Sequence, residues 1–104
     1  MDYKVIMSED AEADLDRFIQ YLLIEKGNEQ AAKNLLDDFE MTIIRLSLGA
    51  GSLKECENPN LNKLGYRRIN FQSHRYFMLY RLEDNTVFVD SIFHELQDYE
   101  NRFI

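Results

Sequence analysis

The sequence contains little cysteine and proline, and it has no long hydrophobic run. Its single cysteine, Cys56, permits no internal disulfide and offers no zinc-type pair of thiols. The most apolar stretch, residues 18–24, is far shorter than the ~20 residues that cross a bilayer. The N-terminal residues lack the basic and long apolar regions of a secretory signal. These absences exclude a disulfide-stapled scaffold and predict a cytoplasmic protein without a membrane segment.

Glycine is also scarce, and there is no glycine-rich phosphate loop, internal repeat or low-complexity tract. Asp10, Glu12, Asp14 and Asp16 have i, i+2 spacing, which spreads carboxylates around a helix instead of clustering them. We therefore expect these side chains to be solvated, and we expect no metal or cofactor. A chain of 104 residues is too short to form two separate cores, so residues 1–104 are predicted to be one domain.

Two amphipathic helices are predicted after a short β-branched strand at residues 3–7. Ser8 is a suitable N-cap for the first helix, and Gly27 can end it with a positive φ. Asn28 is a suitable N-cap for the second helix, and the short connection predicts an antiparallel helix hairpin that ends at residues 49–52. The predicted buried stripes are Leu15, Phe18, Ile19, Leu22 and Leu23 in the first helix, and Ala32, Leu35, Leu36, Phe39, Ile43, Ile44 and Leu46 in the second.

A polar connection is predicted over residues 52–63, and after it the hydrophobic period changes from helical to alternating. Residues 64–71, 74–82 and 86–93 are predicted strands of an antiparallel meander. The first strand is expected to join an edge of that sheet. The order β-α-α-β-β-β predicts an α+β fold in which an N-terminal helix hairpin packs on a mainly antiparallel sheet. The pattern of residues 95–103 is helix-like.

Acidic and basic residues are segregated along the chain, whose net charge is −7 from 19 acidic and 12 basic residues. The overall acidity opposes non-specific binding to nucleic acid. Five basic residues and one histidine nevertheless occur between positions 63 and 82 without any acid: Lys63, Arg67, Arg68, His74, Arg75 and Arg81. Interleaved tyrosines make this segment suitable for contacting phosphate and stacking on bases. The alternative is that its arginines are solvated or form weak surface ion pairs.

Alternation along residues 74–82 assigns these side chains to two faces of one strand. Arg75 and Arg81 share a face, and because both faces are apolar at their centre, these arginines are expected near the rims. His94 ends the last predicted strand, where a histidine near its reference pKa can serve as a general acid or base. The alternative for His94 is an exposed residue at a strand end.

The chain resembles the RelE/ParE toxin superfamily in the order of its elements and in several short motifs. The motifs are Tyr3-Lys4-Val5-Ile6 with Ser8-Glu9-Asp10-Ala11, Gly65-Tyr66-Arg67-Arg68-Ile69, His74-Arg75-Tyr76-Phe77-Met78-Leu79-Tyr80-Arg81, and His94-Glu95-Leu96-Gln97-Asp98-Tyr99. The resemblance covers nearly the whole chain. It implies the toxin of a type II toxin–antitoxin pair, often called a plasmid stabilisation protein, which a cognate antitoxin wraps and neutralises.

RelE-like members are mRNA interferases that cleave message in the ribosomal A site, and ParE-like members poison DNA gyrase. For the endoribonuclease, the resemblance implies that Arg68 and Arg75 hold the phosphate while His94 acts as acid or base in a metal-free attack by the ribose 2′-hydroxyl. Either Glu55 or Glu57 would be a loop base. The residues implied to contact or stack on the substrate are Tyr66, Arg67, Arg81 and Tyr99.

Ribosome-acting relatives are usually basic, whereas this chain is acidic and continues after His94 with Glu95-Leu96-Gln97-Asp98. The expected function is a ribosome-dependent mRNA endonuclease, with the ribosome and mRNA as partners. The alternatives are a ParE-like gyrase inhibitor and a non-toxic or weakened binding module on the same fold.

Overall fold

The computed structural model of the chain describes residues 2–52 and 59–96. Its elements are β1 (Lys4–Met7), α1 (Glu9–Gln20), a π-helical segment (Tyr21–Glu25), α2 (Glu29–Gly49), a 3₁₀ turn (Ala50–Ser52), α3 (Pro59–Lys63), β2 (Tyr66–Asn70), β3 (Tyr76–Glu83) and β4 (Thr86–His94). The predicted α+β fold is confirmed. The predictions for Cys56, Glu55, Glu57, Tyr99 and most of residues 95–103 concern positions outside the described residues.

The four strands form one sheet in the order β1-β4-β3-β2. Strands β2, β3 and β4 are the predicted antiparallel meander, and β1 pairs parallel to β4 at an edge, as expected. The register between β3 and β4 shifts at Leu79 and Tyr80, which pair with Ser91 and Val89. Asp90 is therefore the extra residue of a β-bulge on β4, a feature that twists a strand and redirects its side chains.

The predicted helix caps are present. The Ser8 hydroxyl accepts a hydrogen bond from the Ala11 amide at 3.0 Å and donates one to the Asp90 carbonyl at 2.7 Å, so the cap also ties α1 to the bulge. Asn28 accepts from the Ala31 amide at 3.0 Å, and Gly27 has a φ of 57°. These local contacts account for why both helices begin where the sequence predicts.

Two apolar cores lie on opposite faces of the sheet. The larger core lies between the sheet and helices α1 and α2, and its buried members include Leu35, Leu46, Met78, Tyr80, Val87, Val89 and Ile92. The smaller core consists of Leu61, Phe77, Leu79 and Phe93, with Tyr66 packed against it. Because Leu61 comes from α3, the predicted polar connection contains a short helix that contributes one buried side chain to this core.

Strands β2 and β3 begin later than predicted, for identifiable reasons. Leu64 and Gly65 form a turn after α3, and Gly65 has a φ of 82°, so β2 begins only at Tyr66. The Asp38 carboxylate accepts hydrogen bonds from the amides of Gln72 and Ser73, which holds this segment as a bend before β3 begins at Tyr76. A local glycine turn thus sets the start of β2, and a tertiary contact from α2 sets the start of β3.

The prediction that Asp14 is solvated is wrong. Its side chain is 1% exposed, and its carboxylate accepts from the Ile92 amide of β4 at 3.0 Å and from Arg17 at 2.9 Å. The carboxylate thus satisfies a buried backbone donor that water cannot reach.

Three residues of the predicted buried stripes of the two helices are in fact exposed. Leu23 is 37% exposed because the π-helical segment interrupts the α-helical phase after Gln20. Leu36 and Ile44 are 41% and 48% exposed, since they lie at the margin of the face that α2 turns to the sheet. Among the described residues, no helix is long and apolar enough to cross a membrane.

Candidate functional site

Two of the predicted arginines lie on the face of the sheet opposite α1 and α2, here called the outer face. Pairing of Arg68 with Leu79, and of Tyr66 with Arg81, directs these side chains to the same side of the sheet as the smaller core. The Arg68 guanidinium carbon lies 3.7 Å from the Phe77 ring centroid. The Arg81 guanidinium carbon lies 5.9 Å from the Tyr66 ring centroid. Each cation is thus positioned over an aromatic ring.

The guanidinium groups of Arg68 and Arg81 differ in their hydrogen bonds. Arg68 donates from Nε to the Asn70 side-chain oxygen at 2.8 Å. The Arg81 Nη1 lies 3.8 Å from a Glu83 carboxylate oxygen, and its buried Nε has no hydrogen-bond partner within the described residues. A guanidinium has five N–H donors in a planar fork, so both groups can hold a carboxylate or phosphate.

Tyr66 is fixed on the outer face by the β-bulge. Its hydroxyl donates to Asp90 Oδ2 at 2.9 Å. Burial and this hydrogen bond raise the pKa of Tyr66 above its ordinary value, so the phenol is neutral at physiological pH. Its ring therefore serves as an uncharged surface beside Arg81.

Arg67 points to the helix-facing side of the sheet. It pairs with Tyr80 of the larger core, and its Nη1 donates to the Gly51 carbonyl at 3.2 Å. Arg67 and Tyr66 nevertheless both line a cavity of about 250 Å³ at the start of β2, together with Asn62, Gly65 and Leu82. The predicted substrate-contacting residues therefore occupy both sides of this edge strand.

His94 also lies on the helix-facing side. It pairs with Tyr76, and the two rings are perpendicular with centroids 5.0 Å apart. The Leu96 amide donates to His94 Nδ1 at 3.1 Å, which assigns the proton of the neutral ring to Nε2. The preceding residue on β4, Phe93, belongs to the smaller core. The sheet therefore separates the His94 side chain from those of Arg68 and Arg81.

Arg75 precedes β3 and is exposed. Its carbonyl accepts a hydrogen bond from the Glu95 amide at 2.9 Å, so Arg75 and His94 belong to the same end of the sheet. Two of the three predicted catalytic residues, Arg75 and His94, are therefore close along the backbone at this end of the sheet. The third, Arg68, lies further along β2 on the outer face.

An aromatic cavity at this end of the sheet was not predicted from the sequence. It has a volume of about 470 Å³ and is lined by Arg17, Phe18, Tyr21, Tyr76, His94 and Leu96. Burial, followed by the proximity of Tyr21, raises the pKa of Tyr76. The sequence places Arg17, Phe18 and Tyr21 on one side of a helix, which could have indicated the cavity. Phe18 was instead assigned to the buried stripe of that helix.

A second contact missed from the sequence joins α2 to the bend between β2 and β3. His74 Nδ1 lies 2.7 Å from Asp38 Oδ2. Within the described parts of the chain, no three His, Cys, Asp or Glu side chains are grouped so that they could hold a metal ion.

Comparison with known structures shows the same fold in chains of toxin–antitoxin systems. A chain of the chromosomal ParDE system from P. aeruginosa has a TM-score of 0.72 and 18% identity, over 88% of this chain and 95% of that one. A chain of the RelBE2 toxin–antitoxin complex from Mycobacterium tuberculosis has a TM-score of 0.60 and 18% identity, over 90% and 99%. A chain of the E. coli DinJ-YafQ complex has a TM-score of 0.57 and 11% identity, over 90% and 93%.

The family assignment comes from the sequence. No protein of curated function matches this sequence. The model of the family described as "ParE toxin of type II toxin-antitoxin system, parDE" matches residues 5–99, nearly the full chain. The resemblance found in the sequence motifs is thereby confirmed, and the chain belongs to the ParE toxin family of type II toxin–antitoxin systems.

Proposed function

We propose that this toxin arrests growth by poisoning DNA gyrase in the cytoplasm, the activity that the resemblance associates with ParE-like members. The family match over residues 5–99 supports this branch. The observation that carries the proposal is the location of His94 across the sheet from Arg68 and Arg81. Attack by a 2′-hydroxyl needs acid–base and charge-stabilising groups that converge on one phosphate. Arg68 and His94, two of the three residues implied for this reaction, do not share a face.

The outer face is better suited to binding than to proton transfer. Arg68 and Arg81 lie over the rings of Phe77 and Tyr66, which restricts their motion and lowers the entropy lost on binding. A planar guanidinium fork matches carboxylate and phosphate oxygens equally well. The outer face therefore fits an anionic surface of the gyrase–DNA complex, and this contact requires no catalytic group.

The second candidate is the ribosome-dependent mRNA endonuclease. The hydrogen bond between the Arg75 carbonyl and the Glu95 amide favours it, because it holds the Arg75 backbone at the end of β4 that carries His94. In this candidate Arg68 and Arg75 hold the phosphate and His94 transfers the proton, while Tyr66, Arg67, Arg81 and Tyr99 contact the message. The ribosome would have to bring the phosphate to the edge of the sheet, between its two faces.

Induction of the chain without antitoxin separates the two candidates. A gyrase poison is expected to accumulate gyrase-linked DNA breaks and to leave ribosome-bound message intact, and an endonuclease gives the reverse result. Normal growth in cells that accumulate the folded chain would contradict both activities and favour a non-toxic binding module.

We further propose that a cognate antitoxin binds along the free edge of β1. The amides of Lys4 and Ser8 donate toward the β4 side, to Asn85 and Val89, so the backbone groups of Val5 point away from the sheet. An extended peptide can pair with such an edge. The described relatives in solved toxin–antitoxin complexes support a protein partner of this kind.

An apolar groove adjoins this edge and would receive side chains of the added segment. It has a volume of about 330 Å³ and is lined by Val5, Met7, Phe39, Glu40, Ile43 and Ile44. Ile44→Asp is expected to weaken antitoxin binding by about tenfold or more, because it places a charge against apolar contacts. Ile24→Asp is the matched control, since Ile24 is 73% exposed and lies in the π-helical segment, away from the groove. Equal affinities for the two variants would contradict this location.

A further inference from the structure

We infer that the aromatic cavity between the end of α1 and the ends of β3 and β4 binds a planar aromatic ring that carries an anionic group. This site is separate from the proposed gyrase contact, because it uses neither the outer-face arginines nor the β1 edge. Its volume of about 470 Å³ falls within the range of ligand pockets. The cavity combines aromatic rings, a guanidinium and an irregular helix that forms one wall.

The aromatic side chains of the cavity form a connected series. Tyr76 stands between Phe18 and His94, with centroid distances of 4.7 Å and 5.0 Å and interplanar angles of 66° and 90°. Edge-to-face packing of this kind turns successive ring planes in different directions. Such walls can offer a planar ligand both stacking and edge contacts, which contribute to base binding without sequence selectivity.

The described residues cover the cavity only in part. Tyr21 is 48% exposed and Leu96 is 83% exposed, although both line it. Side chains that served only as core would be more completely enclosed. Tyr21 therefore provides apolar ring surface to a molecule that enters from solvent.

Arg17 supplies the positive charge. Its Nη2 donates to Asp14 Oδ1 at 2.9 Å, and its side chain is 57% exposed while that of Asp14 is 1% exposed. The buried carboxylate thus anchors one corner of the guanidinium, whose remaining donors are available to a carboxylate or phosphate. The raised pKa of Tyr76 keeps its phenol neutral, so it does not repel an anion.

The helix that carries Arg17, Phe18 and Tyr21 changes its winding at this wall. Residues Tyr21–Glu25 are π-helical, and the Lys26 amide donates to the Tyr21 carbonyl at 3.2 Å, five residues earlier. Single π turns occur frequently at functional sites. Here the wide turn begins at the residue that lines the mouth of the cavity.

Titration of the full chain with adenosine 5′-monophosphate, followed by amide NMR, tests the inference. We expect saturable shifts at the amides of Phe18, Tyr21, Tyr76 and His94, and weaker binding of adenosine, which lacks the anionic group. Inorganic phosphate alone is expected to leave these amides unchanged. Benzoate tests whether the cavity is specific for a nucleotide. It shifts the same amides if any aromatic anion can bind, and it leaves them unchanged if a nucleotide is required.

Two substitutions at solvent-accessible side chains give the decisive comparison. Tyr21→Ala is expected to weaken nucleotide binding by about tenfold. Arg17→Gln should reduce it to the level of adenosine. Lys33→Gln, an exposed charge on α2, is the control and should bind as the original chain does. The inference is overturned by an absence of shifts at these amides at millimolar nucleotide, or by unaltered affinity in both cavity variants.

Discussion

The Asp38 carboxylate of α2 lies 2.7 Å from His74 Nδ1 and holds the bend between β2 and β3. It also accepts from the Ser73 amide at 3.0 Å and from the Gln72 amide at 3.1 Å. Burial alone raises the pKa of Asp38, but these hydrogen bonds together outweigh burial and lower it. The ionised carboxylate therefore organises the connection between the two strands that carry Arg68 and Arg81.

Asp38→Asn should lower the free energy of unfolding by about 2 kcal/mol, because it weakens a charge-assisted contact and disturbs the hydrogen bonds to the Gln72 and Ser73 amides. Denaturant unfolding of the purified chain measures this change. Asp37→Asn removes the same charge from the adjacent, exposed position and should change stability by no more than about 0.5 kcal/mol. Equal losses would show that charge, not the bend contacts, is responsible.

The Asp38 contact should also give stability a specific pH dependence. Since the folded-state pKa lies below the ordinary value of 3.8, the stabilisation is present above that value and is lost as pH falls through the folded pKa. The stability difference between the original chain and Asp38→Asn is expected to shrink as pH falls below the ordinary pKa of Asp38. A difference that grew on acidification would contradict the assigned sign.

Asp14→Ala should destabilise the protein by about 1–3 kcal/mol, because it leaves the buried Ile92 amide without its acceptor. Asp16→Ala is the matched control two residues later on α1, where the side chain is exposed and a small effect is expected. Thermal unfolding of the two variants measures the contrast. Similar melting temperatures would mean that the Asp14–Ile92 contact contributes little.

Leu61→Ala should destabilise the chain by about 2–4 kcal/mol, because Leu61 fills the smaller core under α3 and is 1% exposed. Leu64→Ala, at a side chain that is 58% exposed, should have a much smaller effect. Proteolysis at α3 under native conditions provides a local readout, and faster cleavage is expected only for Leu61→Ala. Unchanged cleavage and stability would contradict the proposed packing of α3.

Local chemistry was sufficient to predict most of the fold. Ser8, Gly27 and Asn28 carry their own capping or φ preferences, and the change from helical to alternating period separates helices from strands. The partners of Asp14 and Asp38 could not be predicted in this way. Asp14 contacts Ile92, which is 78 positions away, and Asp38 contacts His74, which is 36 positions away. A pattern within one helix cannot predict contacts between residues so far apart in the sequence.

The candidate site was less predictable because residue type does not determine the face of a sheet. The adjacent residues Arg67 and Arg68 point to opposite faces of the sheet. The basic residues that lie close together in the sequence are therefore split between the two faces. Alternation along β3 correctly separates Phe77 and Leu79 from Met78 and Tyr80. The strand-end position of His94 was visible in the sequence, but its pairing with Tyr76 depends on the register between β3 and β4, including the bulge.

Gyrase-linked DNA breaks in cells that express the chain without antitoxin test the central claim most directly. The matched set comprises the original chain, the double variant Arg68→Gln/Arg81→Gln, His94→Ala, and Lys26→Gln/Lys33→Gln, a control that removes the same two positive charges at exposed positions outside the sheet. Breaks are predicted for the original chain, for His94→Ala and for the control, and they should be lost or strongly reduced in the outer-face double variant. The account is contradicted if the original chain produces no gyrase-linked breaks while it cleaves ribosome-bound message, with that cleavage abolished by His94→Ala.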